Sequence, residues 1–97
     1  MHSKNYFIYI LTNKTNKVFY TGITCDLSRR LEEHSNKIVK GFASKYHCYK
    51  LIYYEVFNDI YEAIEREKQL KRWHREWKIN LIKQSNPQLD DISANLM

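Results

Sequence analysis

The chain has 97 residues, of which 43% are hydrophobic and 28% charged, and it carries a net charge of +5. This length supports one domain with a single modest core, and the composition excludes a disordered chain. The longest apolar run near the start, residues 6–11, is too short for a signal peptide or a membrane span. Cys25 and Cys48 lack the spacing of a zinc site, and a well-stocked core needs no disulfide between them, which suits a reducing compartment. We therefore expect a cytoplasmic protein without membrane contact.

The first half of the chain predicts a hairpin followed by a helix. Residues 6–11 and 18–23 are rich in β-branched and aromatic residues, and the TNKTNK segment between them offers asparagines for the turn. Asp26 is a good N-cap for a helix that runs to about Ile38. Residues 39–48 are expected to form an irregular basic loop.

The second half predicts one strand and two helices. Residues 49–57 are apolar on both faces, which favours a central or well-covered strand. Asn58 or Asp59 begins a long helix that ends at about Arg72. A further helix over residues 75–84 ends before a proline.

The resulting order is β-β-α-β-α-α, which predicts an α+β fold: a small three-stranded antiparallel sheet flanked by helices. Residues 1–85 form the predicted domain, and residues 86–97 are expected to be a short, loosely packed tail.

Two charged side chains fall on apolar helix faces. At about 100° per residue, Glu67 lies at the centre of the buried face that Ala63 and Ile64 define. Arg30 lies between Leu27 and His34, at the edge of the apolar stripe of the first helix. A buried carboxylate is costly unless it is paired or binds a metal. The alternatives are a buried Arg30–Glu67 salt bridge, or an arginine whose charged end reaches water.

Hydrolysis of a phosphodiester would use such residues. A carboxylate can hold Mg²⁺ at the phosphate, and an arginine offers a planar fork of donors to its oxygens. Tyr9 and Tyr20 lie on the predicted strands, and a tyrosine can activate water if positive charge lowers its pKa. Gly22 would let a phosphate approach the strand, although most such glycines are structural.

The positive charge is concentrated in residues 66–83, where seven Lys or Arg face two Glu. Because Trp73, His74 and Trp77 interleave with these cations, the segment is a candidate footprint for a phosphate backbone. The alternative is a solvated helix whose tryptophans belong to the core.

These residues resemble the GIY-YIG nucleases. The first motif is Phe7-Ile8-Tyr9 and the second is Tyr20-Thr21-Gly22, with ten residues between them. The family's arginine, eight positions after the second glycine, matches Arg30, and its histidine and glutamate match His34 and Glu67. The resemblance covers about residues 5–83. It is closest to small stand-alone members similar to the N-terminal nuclease domain found in the excinuclease ABC system.

The resemblance implies a Mg²⁺-dependent DNA endonuclease, with Mn²⁺ as a substitute, of structure-selective or weakly sequence-specific type. Its implied catalytic residues are Tyr9, Tyr20, Arg30, His34 and Glu67, with Glu67 as the metal ligand. Tyr9 is the implied base and Tyr20 its assistant, and these two roles could be exchanged. Phe7 and Thr21 depart from the family's glycine and isoleucine, which concerns substrate fit more than chemistry.

Substrate binding is assigned to a wider set of residues. This set comprises Gly22, Lys40, Lys45, Lys71, Arg72 and Arg75. DNA is the expected partner, with a role in repair or recombination, and a monomer is compatible with the sequence. The alternative is a catalytically inactive nucleic-acid-binding module with the same fold, and a protein-binding adaptor has less support.

Overall fold

The computed structural model describes residues 4–36 and 41–96. Its elements in chain order are β1 (Tyr6–Thr12), β2 (Phe19–Thr24), α1 (Leu27–Ser35), α2 (Phe42–Lys45), β3 (Lys50–Phe57), α3 (Ile60–Arg72), α4 (Arg75–Ser85) and a 3₁₀ helix (Ser93–Leu96). The predicted α+β fold and its element order are confirmed, with two short helices added. The predicted end of the first helix near Ile38, the start of the basic loop, and Lys40 lie outside the described residues.

The turn between β1 and β2 is held by its asparagines, as its composition predicted. The side-chain oxygen of Asn13 accepts from the backbone N–H groups of Lys17 at 2.9 Å and Val18 at 3.2 Å. Asn16 adopts a positive φ of 60°, a conformation that asparagine tolerates better than most residues. These contacts bring β2 back antiparallel to β1, with Tyr9 opposite Gly22.

The strand order is β2-β1-β3, so β1 is central and β3 lies at an edge. Of the two predicted alternatives for this strand, central or well covered, the second is therefore the one found. The side chain of Asn86 donates to the carbonyl of Ile52 at 3.0 Å, and the N–H of Ile92 donates to that of Leu51 at 2.8 Å. The apolar composition of β3 reflects this cover.

The segment after α4 is accordingly packed, contrary to the expected loose tail. Leu89 is buried and packs with Ile10, Ile52 and Ile82. Asn86 also exchanges hydrogen bonds with the backbone of Asp90, at 2.9 and 3.1 Å. The residues beyond Ser85 thus contribute to the core.

Helices cover both faces of the sheet because successive strand residues point to opposite sides. Tyr9 and Leu11 pack with Leu27 of α1 on one face. Ile8 packs on the other face with Ala63 and Leu70 of α3. The predicted caps hold both helices in place: Asp26 accepts from the N–H of Arg29 at 3.1 Å, and Asp59 accepts from that of Tyr61 at 2.9 Å.

Both cysteines are free thiols, with Cys48 buried and Cys25 exposed. Within residues 4–36 and 41–96, the helices are too short or too polar to span a bilayer.

Candidate functional site

Tyr9 and Gly22 form the floor of the candidate site. Tyr9 is only 2% exposed, and its ring lies across the backbone of Gly22 on the adjacent strand. A Cβ on residue 22 would stand 2.5 Å from the Tyr9 hydroxyl, which is closer than real Cβ contacts. The glycine therefore makes room for the ring of Tyr9. A role for Gly22 in binding substrate stays a prediction.

Three rings meet above this floor. The ring centroids of Tyr9 and Tyr20 are 6.2 Å apart, and that of His34 lies 6.2 Å from Tyr9 and 5.8 Å from Tyr20. The Tyr9 hydroxyl is 3.4 Å from Nε2 of His34, and it shares a hydrogen bond with the Tyr20 phenol. The hairpin and α1 thus bring together three of the five predicted catalytic residues.

Arg30 lies beside these rings on α1. Its side chain is 37% exposed, and one guanidinium nitrogen is 3.5 Å from a carboxylate oxygen of Glu33. Its positive charge partly opposes the rise that burial causes in the pKa of Tyr9 and adds to the fall that burial causes in the pKa of His34, so Arg30 is within electrostatic reach of both rings. Glu33 was not predicted from the sequence, although its i,i+3 spacing from Arg30 and i,i+4 spacing from Arg29 favour ion pairs.

Glu67 lies on α3, within electrostatic reach of Tyr9. Its side chain is 18% exposed, and one oxygen lies 3.6 Å from Nζ of Lys71. Its negative charge contributes to the raised pKa of Tyr9, so it too is within electrostatic reach. Arg30 and Glu67, both within the described part of the chain, each form an ion pair with a residue on their own helix and not with each other. The alternative of a buried Arg30–Glu67 salt bridge is therefore not found.

The protonation states differ from the sequence expectation. Burial raises the pKa of Tyr9 above its ordinary value, the neighbouring Tyr20 raises it further, and Arg30 opposes both effects only in part. Burial, followed by the charge of Arg30, lowers the pKa of His34. Tyr9 is therefore a neutral phenol next to a neutral imidazole, and positive charge does not lower its pKa overall.

Glu67 is the carboxylate that could hold a magnesium ion, because Glu33, the other carboxylate near the rings, is ion-paired with Arg29 and Arg30. Among the residues that the structure describes, no three His, Cys, Asp or Glu side chains form a metal cluster. Mg²⁺ nevertheless keeps several water ligands and is often held by one or two carboxylates together with substrate phosphates. The single, partly exposed carboxylate of Glu67 fits that pattern.

The predicted basic footprint is divided among several places. Lys71 is 53% exposed beside Glu67, and Lys45 is exposed at the end of α2. Arg72 lines a groove on α3 and α4 together with Trp73 and Trp77. Burial lowers the pKa of Lys78, and the charges of Arg75 and Lys71 lower it further, so both of these cations lie within electrostatic reach of Lys78.

Arg75 is bound within the fold. Its guanidinium donates to the backbone carbonyls of Lys17 at 2.7 Å and Asn16 at 2.5 Å. It also lies 4.3 Å above the ring of Phe19, at a distance typical of a cation–π contact. This arginine joins the start of α4 to the hairpin turn, so its predicted role in binding DNA competes with a structural one.

An α+β fold that assembles two tyrosines, a histidine, an arginine and a carboxylate in this order is the architecture of a GIY-YIG nuclease domain. Residues 5–80 match the GIY-YIG catalytic domain, and the chain belongs to this family of nucleases. The resemblance found in the sequence is confirmed.

Its relatives are small proteins of similar length. A UPF0213 protein of Syntrophus aciditrophicus is 38% identical over 87 residues, which cover 89% of this chain and 97% of that protein. One from Clostridium perfringens is 34% identical over 76 residues, covering 78% and 81% of the two chains. The solution NMR structure of a UPF0213 protein from Bacillus halodurans superposes with a TM-score of 0.58 at 25% identity, covering 90% of this chain and 92% of that one.

Proposed function

We propose that the protein is a Mg²⁺-dependent DNA endonuclease that selects branched structures or recognises sequence weakly. One observation carries the proposal: Tyr9, Tyr20 and His34 meet in one cluster, with Arg30 and Glu67 within electrostatic reach of it. Membership of a nuclease family supports the same chemistry. A nuclease of this kind would serve DNA repair or recombination.

The burial of the two tyrosines supports the exchanged assignment of their roles. Tyr9 is 2% exposed, whereas Tyr20 is only half-buried, so the Tyr20 hydroxyl is the one that an attacking water can reach. Tyr20 would take a proton from this water while its own proton passes to Tyr9. The proton of Tyr9 would then pass to Nε2 of His34, which is free to accept it because the imidazole is neutral.

Arg30 and Glu67 would act on the phosphate. The exposed part of the Arg30 guanidinium can donate to the non-bridging oxygens, whose negative charge grows in the transition state. Glu67 would hold Mg²⁺, which when bound stabilises negative charge on the phosphate and on the leaving oxygen. Lys71, 3.6 Å from Glu67, would contact an adjacent phosphate.

The test is cleavage of labelled DNA by the purified full-length chain. Flap, fork, nicked and plain duplex substrates of one sequence are compared with Mg²⁺, with Mn²⁺ and with EDTA. We expect cleavage with either metal, none with EDTA, and faster cleavage of the branched substrates. Tight binding to every substrate without cleavage would instead establish the inactive nucleic-acid-binding module.

Phenylalanine variants test the tyrosine relay. Tyr20→Phe and Tyr9→Phe remove only a hydroxyl, and each should lower the single-turnover rate by about 10²-fold or more, the scale of general acid–base catalysis. Tyr54→Phe is the matched control, because Tyr54 lies opposite Tyr9 on β3. If Tyr20→Phe cleaves at the wild-type rate while Tyr9→Phe does not, the original assignment of Tyr9 as the base is restored.

A further inference from the structure

An open groove runs along α3 and α4, away from the candidate site. It has a volume of about 960 Å³ and includes the side chains of Tyr61, Trp73 and Trp77. Tyr61 is 75% exposed and Trp77 is 54% exposed, more than any other large hydrophobic side chain whose burial the structure describes. Aromatic side chains are enriched at the centres of protein interfaces, where their burial contributes much of the affinity.

The wall of the groove is already ordered. Arg66 makes two hydrogen bonds of 2.9 Å to the carboxylate of Glu55, and its guanidinium carbon lies 5.2 Å from the Trp73 ring centroid. Trp73 packs against Trp77 at a centroid distance of 6.0 Å. A partner would therefore meet a surface that needs little further ordering, which lowers the entropic cost of association.

The charges along the groove change sign from the start of α3 to its end. Glu62 and Glu65 lie in the first half of α3, and Arg72 lies in its last turn. All three are exposed, and none is ion-paired with another residue that the structure describes. At about 100° per residue, Glu62, Glu65, Gln69 and Arg72 share one helix face.

We propose that this face binds the same face of a second copy of the chain, with the two α3 helices antiparallel. A two-fold axis near Gln69 would set Glu65 of each copy against Arg72 of the other. The same axis would bring Tyr61 of each copy toward the Trp73–Trp77 pair of the other. The surface is thus complementary to itself, as the isologous interface of a two-fold dimer requires.

The same charges argue against a nucleic acid in the groove. The exposed carboxylates of Glu62 and Glu65 would repel a phosphate backbone, whereas they attract the arginine of a second copy. A standard interface buries about 800 Å² per partner, which is roughly an eighth of the 6650 Å² accessible surface of this chain. Two helices and their aromatic side chains can supply that area.

The dimer would leave the candidate site open. Glu67 acts electrostatically on Tyr9 and lies about 160° around α3 from both Glu65 and Gln69, the two residues that would face the second copy. Dimer formation does not depend on the proposed function, and its test needs no DNA.

Sedimentation equilibrium of the full chain, over a concentration series reaching the high micromolar range, measures the association. We expect a monomer–dimer equilibrium, together with a blue shift of tryptophan fluorescence as concentration buries Trp77. A mass that stays monomeric throughout the series would overturn the proposal. Quenching of that monomer's Trp77 by single-stranded DNA would assign the groove to nucleic acid instead.

Charge reversal identifies the interface. Glu65→Arg and Arg72→Glu each turn two attractive contacts into repulsive ones, so each should weaken dimerisation by about tenfold or more. Mixing the two variants restores both attractive pairs in a heterodimer, and the double variant restores them in a homodimer. Glu32→Lys and Lys83→Glu, exposed charges of α1 and α4, are the controls and should dimerise like wild type. Dimers of wild-type affinity in both single variants, or no recovery on mixing, would place the interface elsewhere.

Discussion

The ring of Tyr9 occupies the space in which a side chain of residue 22 would stand. Gly22→Ala should therefore displace this ring, lowering the free energy of unfolding by about 1–3 kcal/mol, as overpacking does, and impairing cleavage. Urea unfolding measures the first effect and single-turnover cleavage the second. A Tyr9→Leu background should remove most of the penalty, because the obstructing ring is gone. Equal penalties in both backgrounds would show that the two residues are not coupled.

Glu67→Gln should abolish cleavage while it leaves the melting temperature and the affinity for DNA nearly unchanged. The amide keeps the volume of a side chain that is 18% exposed, but it loses the charge that is proposed to hold Mg²⁺. Glu76→Gln, an exposed substitution on α4, is the control for a general loss of negative charge. If Glu67→Gln cleaved DNA at the wild-type rate, Glu67 would not be the metal ligand.

Arg30→Ala should lower the cleavage rate by roughly 10²–10³, the scale of losing one organised donor to developing charge. Arg29 offers a matched control, because it lies next to Arg30 on α1 and contacts the same Glu33. Its side chain is 75% exposed, so Arg29→Ala should change the rate little. Equal losses in the two variants would point to the ion pairs with Glu33, and not to the phosphate.

Lys71→Ala should change the binding of DNA, whereas Arg75→Ala should change the stability of the fold. Lys71 is 53% exposed beside the site, so its loss should reduce the slope of log affinity against log salt by about 0.9, the value for one phosphate contact. Arg75 is bound to the hairpin turn, so its loss should lower the melting temperature. Filter binding over a salt series and thermal unfolding separate the two. If Arg75→Ala reduced the slope of log affinity against log salt and left the melting temperature unchanged, Arg75 would be a DNA contact as the sequence predicted.

His34 should make the fold sensitive to mild acid. Because burial and Arg30 lower its pKa in the folded chain, the unfolded chain binds a proton below about pH 6.5 that the folded chain does not. The contribution to stability is thus complete above that pH and falls as pH decreases, by at most about 1.4 kcal/mol per pH unit. Urea unfolding at several pH values between about 5.5 and 7.5 measures how the free energy of unfolding depends on pH. This dependence should be weaker in His34→Gln than in the wild-type protein. His74→Gln, which changes an exposed imidazole, should keep the wild-type slope.

Features that depend on near neighbours in the chain could be predicted from the sequence. Asp26 and Asp59 cap their helices because an N-cap needs only the next three residues. The helical period placed Arg30 and Glu67 toward the sheet, because side-chain direction follows from position in the turn.

Features that depend on distant contacts could not be predicted. Arg75 binds carbonyls 58 and 59 positions earlier, and no local pattern distinguishes it from a free cation. The strand order depends on which partners β1 finds on each side, and the composition of β3 could not distinguish a central strand from an edge strand that a later segment covers. The raised pKa of Tyr9 follows from its burial, which only the assembled core determines.

The segment that crosses the outer side of β3 also governs how the sheet meets other chains. An edge strand that is apolar on both faces is a template for pairing with a foreign strand, and so for aggregation. Here Asn86 and Ile92 occupy two of its carbonyl groups from within the same molecule. The residues that follow α4 therefore protect the edge of the sheet from pairing with other chains. A truncation or a tag that displaced them would expose this edge and make the protein more prone to aggregate.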